Sequence, residues 1–429
     1  EYSSAVTQAG VLITATSNGI FSYVVDADSV DEITALGWEK AVFTGLDLYA
    51  LALLPTTVTD AEIAGVVKYL EREKGATRNP TGSLLSYWNS RFDLVTPKID
   101  AVDFSGATNL GYSWYNCTSL TSFPLIDTSN VTAFPYSWAW TPLTSFPALD
   151  MSSATEVSQA WRDCTSLTSF PVITFTTDAD DDVNFTSAWN NCTALTSFPA
   201  LNLSRGVYFG SAWKGNTAMT SFGACTFSTH ADDDINFTSA WQDCTALESF
   251  PALNLSRGTN FTNAWRDCAA MVEFNATTLN NGTEFGSTWQ GCTALTSFPA
   301  ANMSSGTNFS YAWYTNTSMA SFLATDLSSG TNFFAAWYNC TALTSLPSEL
   351  DVSSGTSFGY AWFGCTALTS FPALDLSSGT NFANSWRGCT SLVSFPADID
   401  VSSGGTFGTA FYGNTAMTTF PAGVFDDWA

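Results

Sequence analysis

A tryptophan returns about every 24 residues through most of this chain. The register runs Trp114, Trp138, Trp161, Trp189, Trp213, Trp241, Trp265, Trp289, Trp313, Trp337, Trp362 and Trp386, and Phe411 takes the last place. Most steps are 24 or 25 residues; Trp138 to Trp161 is 23, while Trp161 to Trp189 and Trp213 to Trp241 are 28. A fixed period of about 20–50 residues marks stacked supersecondary units, none of which can bury its apolar face alone. The expected fold is a repeat solenoid of about thirteen turns with one parallel strand per turn. Any function has to suit a long, repetitive surface.

Composition agrees with a packed chain. Hydrophobic residues make up 45% and charged residues 12% of the 429, so disorder is excluded. Aromatics reach 15%, because each turn uses two Phe and one Trp. The formal charge of −25 comes from 38 acidic against 13 basic residues. That argues against nucleic acid, whose phosphates need basic stripes. It suits a salty or cation-rich medium in which screening tames self-repulsion. No run of apolar residues is long enough for a membrane-spanning helix. The sequence starts at Glu1 without methionine, so either a leader was removed or the numbering begins inside a precursor.

One turn serves for the rest: Trp362-Phe-Gly-Cys365-Thr-Ala-Leu368-Thr369-Ser370-Phe371-Pro-Ala-Leu374-Asp375-Leu376-Ser-Ser-Gly379-Thr-Asn-Phe382. Counting the Trp as zero, large apolar residues recur at +6, +9, +12, +14 and four residues before the next Trp. Like residues on like positions stack about 4.8 Å apart, which gives a rod or arc roughly 60 Å long. The Phe and Trp columns then fill a dry core, each ring burying about 150–250 Å².

Position +3 holds Cys117, Cys164, Cys192, Asn216, Cys244, Cys268, Cys292, Asn316, Cys340, Cys365, Cys389 and Asn414. Cys and Asn interchange there because either can satisfy a buried backbone amide at a sharp bend. Disulfide frameworks belong to small, core-poor secreted domains. The ladder therefore reads as buried thiols acting as small hydrophobes, with bridges between neighbouring turns as the alternative. The turn at Trp138 carries no Cys, and its Trp140-Thr-Pro is expected to bulge.

The pattern Thr-Asn-Phe-x-x-x-Trp-x-x-Cys-Thr-x-Leu-Thr-Ser-Phe-Pro-x-Leu-Asp-x-Ser-Ser resembles the BspA-type leucine-rich repeat of bacterial and protist surface proteins. The resemblance covers roughly residues 99–421. Trp for the usual Phe, Phe for Met or Leu, and the Pro at +10 depart from the family pattern. It implies a leucine-rich-repeat-like solenoid and an exposed adhesin or interaction module at a cell or virion surface.

Four regions follow. Residues 80–110 form an N-terminal cap, with Trp88 as a degenerate first turn; 111–421 form the solenoid; 422–429 cap the other end. Residues 1–79 form a small α+β attachment or assembly domain through which copies of the chain could join. Its strands lie near 11–16, 19–25 and 41–54, and a helix with a capping-box signature opens at Thr57-Val-Thr-Asp-Ala-Glu62 and stops at Gly75. The run from Thr59 to Thr77 is similar to the terminal helix of modular phage and bacterial surface proteins.

The two long turns carry acidic insertions, Asp178, Asp180, Asp181 and Asp182 in one and Asp232, Asp233 and Asp234 after His230 in the other. They should project from one edge about 10 Å apart. Clustered carboxylates are hard oxygen ligands suited to Ca²⁺; a solvated acidic loop is the other reading. No other cofactor is called for.

Catalysis needs a local convergence of acid, base and nucleophile. The chain offers one His, no phosphate-cradling loop, and carboxylates at repeat positions. A non-enzymatic solenoid that binds a protein or glycan of a host cell is the expected function. A structural subunit of a filament, fibre or surface layer, with a neighbouring subunit as partner, is the alternative, and an ice- or mineral-binding surface is a minor one. The expected binding face is the outward pair at +7 and +8: Thr121, Ser122, Thr168, Ser169, Thr196, Ser197, Thr296, Ser297, Thr344, Ser345, Thr369 and Ser370. Thr also favours strands for its own sake.

Overall fold

The computed structural model describes residues 82–84, 88–90, 99, 102–177 and 182–418. The expected strands and helix of 1–79 and the cap at 422–429 lie outside the described residues. What is described is a parallel β-solenoid, one turn per tryptophan.

Each turn touches its neighbours through three short parallel ladders. The expected one falls at +8 and +9, where Ser197–Phe198, Ser221–Phe222, Ser249–Phe250 and Glu273–Phe274 form one sheet. A second falls at +13 and +14, as in Asp150–Met151 against Thr174–Phe175 and Asn202–Leu203 against Thr226–Phe227. The third is the most continuous. Its sheet of Val183–Asn184, Gly206–Tyr208, Ile235–Asn236 and Gly258–Asn260 is prolonged by single bridges from Asn109 up to Asn184 and from Asn260 down to Thr406. Before it, Gly82–Ser83 pairs with Ala107–Asn109, and Trp88 stacks on Trp114 at 5.7 Å.

Between the third and first ladders the backbone makes overlapping turns across the tryptophan. Residues two before and two after each Trp adopt left-handed φ, for example Asn263 at 57° and Asp267 at 59°. Alternation of right- and left-handed residues splits the amides into two sets. Asn263, Trp265 and Asp267 donate to Gly286, Thr288 and Gln290 of the next turn at 2.9, 2.9 and 2.7 Å. Ala264, Arg266 and Cys268 close back onto carbonyls three residues earlier. These buried amides are thereby paired without extended strand. Asn, Asp and Gly recur at +2 because they tolerate this conformation best.

The core is a stack of rings. Successive register rings lie 5.1–5.7 Å apart and nearly parallel from Trp114 to Phe411. The Phe at +9 meets them edge-on; Phe274 sits 4.7 Å from Trp265 and 5.3 Å from Trp289. From Trp189 to Trp386 the Phe four before the Trp leans flat on it, and in most of these turns glycine makes room for that ring. A Cβ on Gly258 would come within 2.2 Å of the Phe261 ring.

None of the twelve stacked tryptophans gives its indole N–H a hydrogen-bond partner. An orphaned donor costs about 1–3 kcal/mol. Burying about 200 Å² of ring at about 25 cal/mol per Å² returns about 5 kcal/mol. Burial wins, and Phe411 shows that the column accepts a ring with no N–H. We predict that Trp265→Phe costs under about 1.5 kcal/mol while Trp265→Ala costs about 3–5 kcal/mol, measured by chemical denaturation. Equal losses from both would mean that the indole itself, and not a stacked ring, is required.

Candidate functional site

The expected binding residues do come together. Thr121, Ser122, Thr168, Ser169, Thr196, Ser197, Thr296, Thr344, Ser345, Thr369 and Ser370 are exposed on the first ladder, and Ser297 is half-buried there. Alternation along the strand sends +9 inward and +8 outward, and +7, just ahead of the paired residues, is exposed as well. The ladder also fixes the threonine rotamers. Thr168 Oγ1 donates to the Thr144 carbonyl at 3.1 Å, Thr196 to Thr168 at 3.3 Å, and Thr344 to Ala320 at 3.2 Å. With the proton committed to the preceding turn, each hydroxyl keeps its lone pairs for a partner. Ser297 and Ser321 hydroxyls bond to each other at 2.8 Å. Glu248 and Glu273 are the acidic residues of this strip among the described residues.

The acidic insertions are braced by protein. Asp182 lies 3.4 Å from the Arg205 guanidinium of the next turn. In the second insertion the Ser228 hydroxyl donates to Asp233 Oδ2 and accepts the His230 N–H at 3.0 Å. Arg257, again from the next turn, donates through Nε to the Asp233 carbonyl at 3.1 Å and through Nη2 to the Ala231 carbonyl. His230 is exposed, with Nδ1 4.0 Å from both Asp232 and Asp233. Asp178, Asp180 and Asp181 lie outside the described residues. Among those described, no three acidic, His or Cys side chains converge as a metal site.

The +3 ladder is a column of free, buried thiols. Each donates to the carbonyl of the preceding register residue, as Cys292 does to Trp265 at 3.2 Å. Asn414 accepts the Cys389 N–H at 2.9 Å, the amide-satisfying role expected of this position, but the buried Asn216 and Asn316 side chains make no hydrogen bond. Thr141 stands in for Cys in the turn at Trp138, donating to the Trp138 carbonyl at 2.6 Å. That turn is not bulged there: Trp140 takes the left-handed φ, 65°, common to its column. Burial pushes Cys164, Cys244, Cys340 and Cys389 up to about 12.

Other carboxylates cap turns. Asp351 Oδ1 accepts the Ser353 N–H at 3.0 Å and its hydroxyl at 2.7 Å, and the equivalent Ser402 bonds hold Asp400 below the usual carboxylate range.

A second face escaped sequence reasoning. At +1 the rings of Tyr314, Tyr338 and Phe363 stack at successive distances of 4.6 Å. Arg387 follows, its guanidinium 5.8 Å from the Phe363 ring and 4.9 Å from that of Tyr412. Tyr311, Phe334 and Tyr360 lie alongside. Burial, and then the phenols of Tyr314 and Tyr360, push Tyr338 up. Tyr112 and Tyr136 stack in the same way at the other end, next to exposed Trp140. The available signal was variation between turns: +1 reads Tyr, Ala, Arg, Asn, Lys, Gln, Arg, Gln, Tyr, Tyr, Phe, Arg, Tyr, while +7 is mostly Thr.

No family model and no curated protein matches the sequence. Solved structures do. A leucine-rich repeat protein from Bacteroides ovatus is 13% identical, with 76% of this chain and 86% of that one covered and a TM-score of 0.38. One from Eubacterium ventriosum is 14% identical, with 74% and 90% covered and a TM-score of 0.36. An internalin from Listeria monocytogenes is 12% identical, with 70% and 86% covered and a TM-score of 0.27. Among the described residues no helix is long and apolar enough to cross a membrane.

Two predictions follow from this chemistry. A raised thiol pKa means that the fold holds the neutral form, so its stabilising effect is complete below about pH 9 and is lost between about 9 and 12. The chain should therefore lose stability on raising the pH through that window, and Cys268→Ala with Cys292→Ala should flatten the loss; a loss of the same size in that variant would place its cause elsewhere. For the insertions, Arg257→Ala should cost about 1 kcal/mol, while a calcium chelator should leave Tm unchanged. A Tm lowered by chelator would instead establish a metal there.

Proposed function

We propose that this chain is a non-enzymatic interaction solenoid, displayed outside a cell or on a virion, that binds an extended protein or glycan along its first ladder. One observation supports this above others. Hydroxyl residues spread from Thr121 to Ser370 recur along one side of the first ladder, and the rotamers of Thr168, Thr196 and Thr344 are fixed by the preceding turn. Such a strip offers a regular row of acceptors at little entropic cost, which suits a linear partner rich in donors. Solenoids present extended faces of this kind. The chemistry of the rest agrees: the carboxylates of the second ladder cap turns, the thiols are buried and protonated, and the imidazole of exposed His230 faces the carboxylates of Asp232 and Asp233.

The test uses the full chain on glycan arrays and against host-cell surface proteins. Thr296→Trp and Thr344→Trp should weaken the best hit more than tenfold while leaving Tm unchanged. Binding untouched by both substitutions, or no binding to any glycan or cell, would count against the reading.

A further inference from the structure

We propose that two copies of this chain pair through the aromatic ridge between Tyr311 and Tyr412, antiparallel, about a two-fold axis close to Phe363. This contact lies on a different face from the hydroxyl strip and does not depend on what that strip binds.

Charge selects the face. The chain carries −25, yet between Asn308 and Tyr412 no described residue from six before to five after each register position is acidic. The carboxylates of these turns stand elsewhere: Asp326, Asp351, Asp375 and Asp400 on the second ladder, and Glu349 and Asp398 two residues before Asp351 and Asp400. Two equally charged molecules repel wherever such groups approach within about 8–10 Å. The ridge is where they can meet. It is also the ground on which Tyr, Phe and Arg gather, the types enriched at the centres of protein interfaces and depleted of Asp, Glu and Lys.

Pitch selects the partner. The rings of Tyr314, Tyr338 and Phe363 lie face to face at the spacing of the turns, so the surface presents ring edges separated by shallow grooves. A sugar that stacks on an aromatic needs an open ring face, and these faces already cover one another. A second copy has the same spacing by construction, so its ring edges can meet these edge to edge along the whole row.

Order selects the orientation. The row reads Tyr314, Tyr338, Phe363, Arg387, Tyr412. A parallel pairing would set Arg387 against Arg387. Reversal about Phe363 sets Arg387 of each copy against the partner copy's Tyr338, a cation–π pairing in place of a repulsion, and closes the contact isologously.

Light scattering and sedimentation of the full chain across a range of concentrations test this. The expected result is a dimer whose dissociation constant rises more than tenfold on Tyr338→Glu and on Phe363→Glu, with Tm retained because both rings are only half-buried. Added salt should tighten the dimer by screening the like charge of the two copies. Arg387→Glu supplies a further variant should either ring substitution impair folding, and Thr296→Trp should leave the dimer intact. A chain that stays monomeric at every concentration overturns the proposal, as does a dimer that survives these substitutions. Glycan binding by a monomeric chain, abolished by Tyr338→Glu, would also overturn it and assign the ridge to a sugar.

Discussion

Everything in this molecule depends on each turn lying in register on the one before it. The register ring and its two phenylalanines find like rings in a neighbouring turn, the threonine hydroxyls find a carbonyl of the turn before, and the +3 thiol finds the preceding register carbonyl. A shift of one residue would break them together, because strand side chains would change face and the left-handed positions would fall on residues that resist them. The period is thus selected by many small terms acting at one spacing. The insertion at 230–234 is accommodated outside the stack and tied down by Arg257 of the following turn, as Arg205 holds Asp182.

The same requirement explains what could be read from sequence. Trp, Phe and Leu columns announce a buried stack because no other arrangement hides so many rings, and Cys exchanging with Asn announces a buried polar contact. The strand at +8 was legible from its alternation. The most continuous ladder was not: Gly-Thr-Asn reads as a turn, since Gly and Asn are turn formers and the outward Thr carries no apolar signal. What makes it a strand is tertiary. Gly258 leaves room for the Phe261 ring, and Asn308 bonds both its own turn, through Ser310 N–H, and the preceding one, through Glu284. The left-handed pair around each Trp was visible at +2, in Asn, Asp and Gly, and hidden two residues before it, where Tyr, Gln and Ser adopt the same φ.

Of the candidate site, the positions were legible and the chemistry was not. The repeated Thr column alone marks Thr168 and Thr344 as outward candidates. That their protons are committed to the turn behind depends on a carbonyl 24 residues away in sequence, which no local pattern reveals. In the acidic insertions Asp182 reaches Arg205, a partner that only stacking brings near, while Asp233 bonds Ser228 of its own turn.

A repeat that must match itself leaves little freedom, and the distribution of that freedom is informative. Columns facing the core, the thiol ladder and the turn-capping carboxylates are held to one or two residue types by contacts repeated at every turn. Position +1 stands beside a left-handed residue and, apart from buried Ala139 and Asn190, is half-buried or exposed, so stacking holds it to no single residue type. Random drift there would favour small polar residues like those at +7. Instead it holds large rings and most of the solenoid's few cations, which cost more side-chain entropy to order and leave exposed apolar surface, 66% exposure at Tyr412 being the extreme. Residues that the fold does not need and that the free chain stabilises poorly are best accounted for by a surface that covers them.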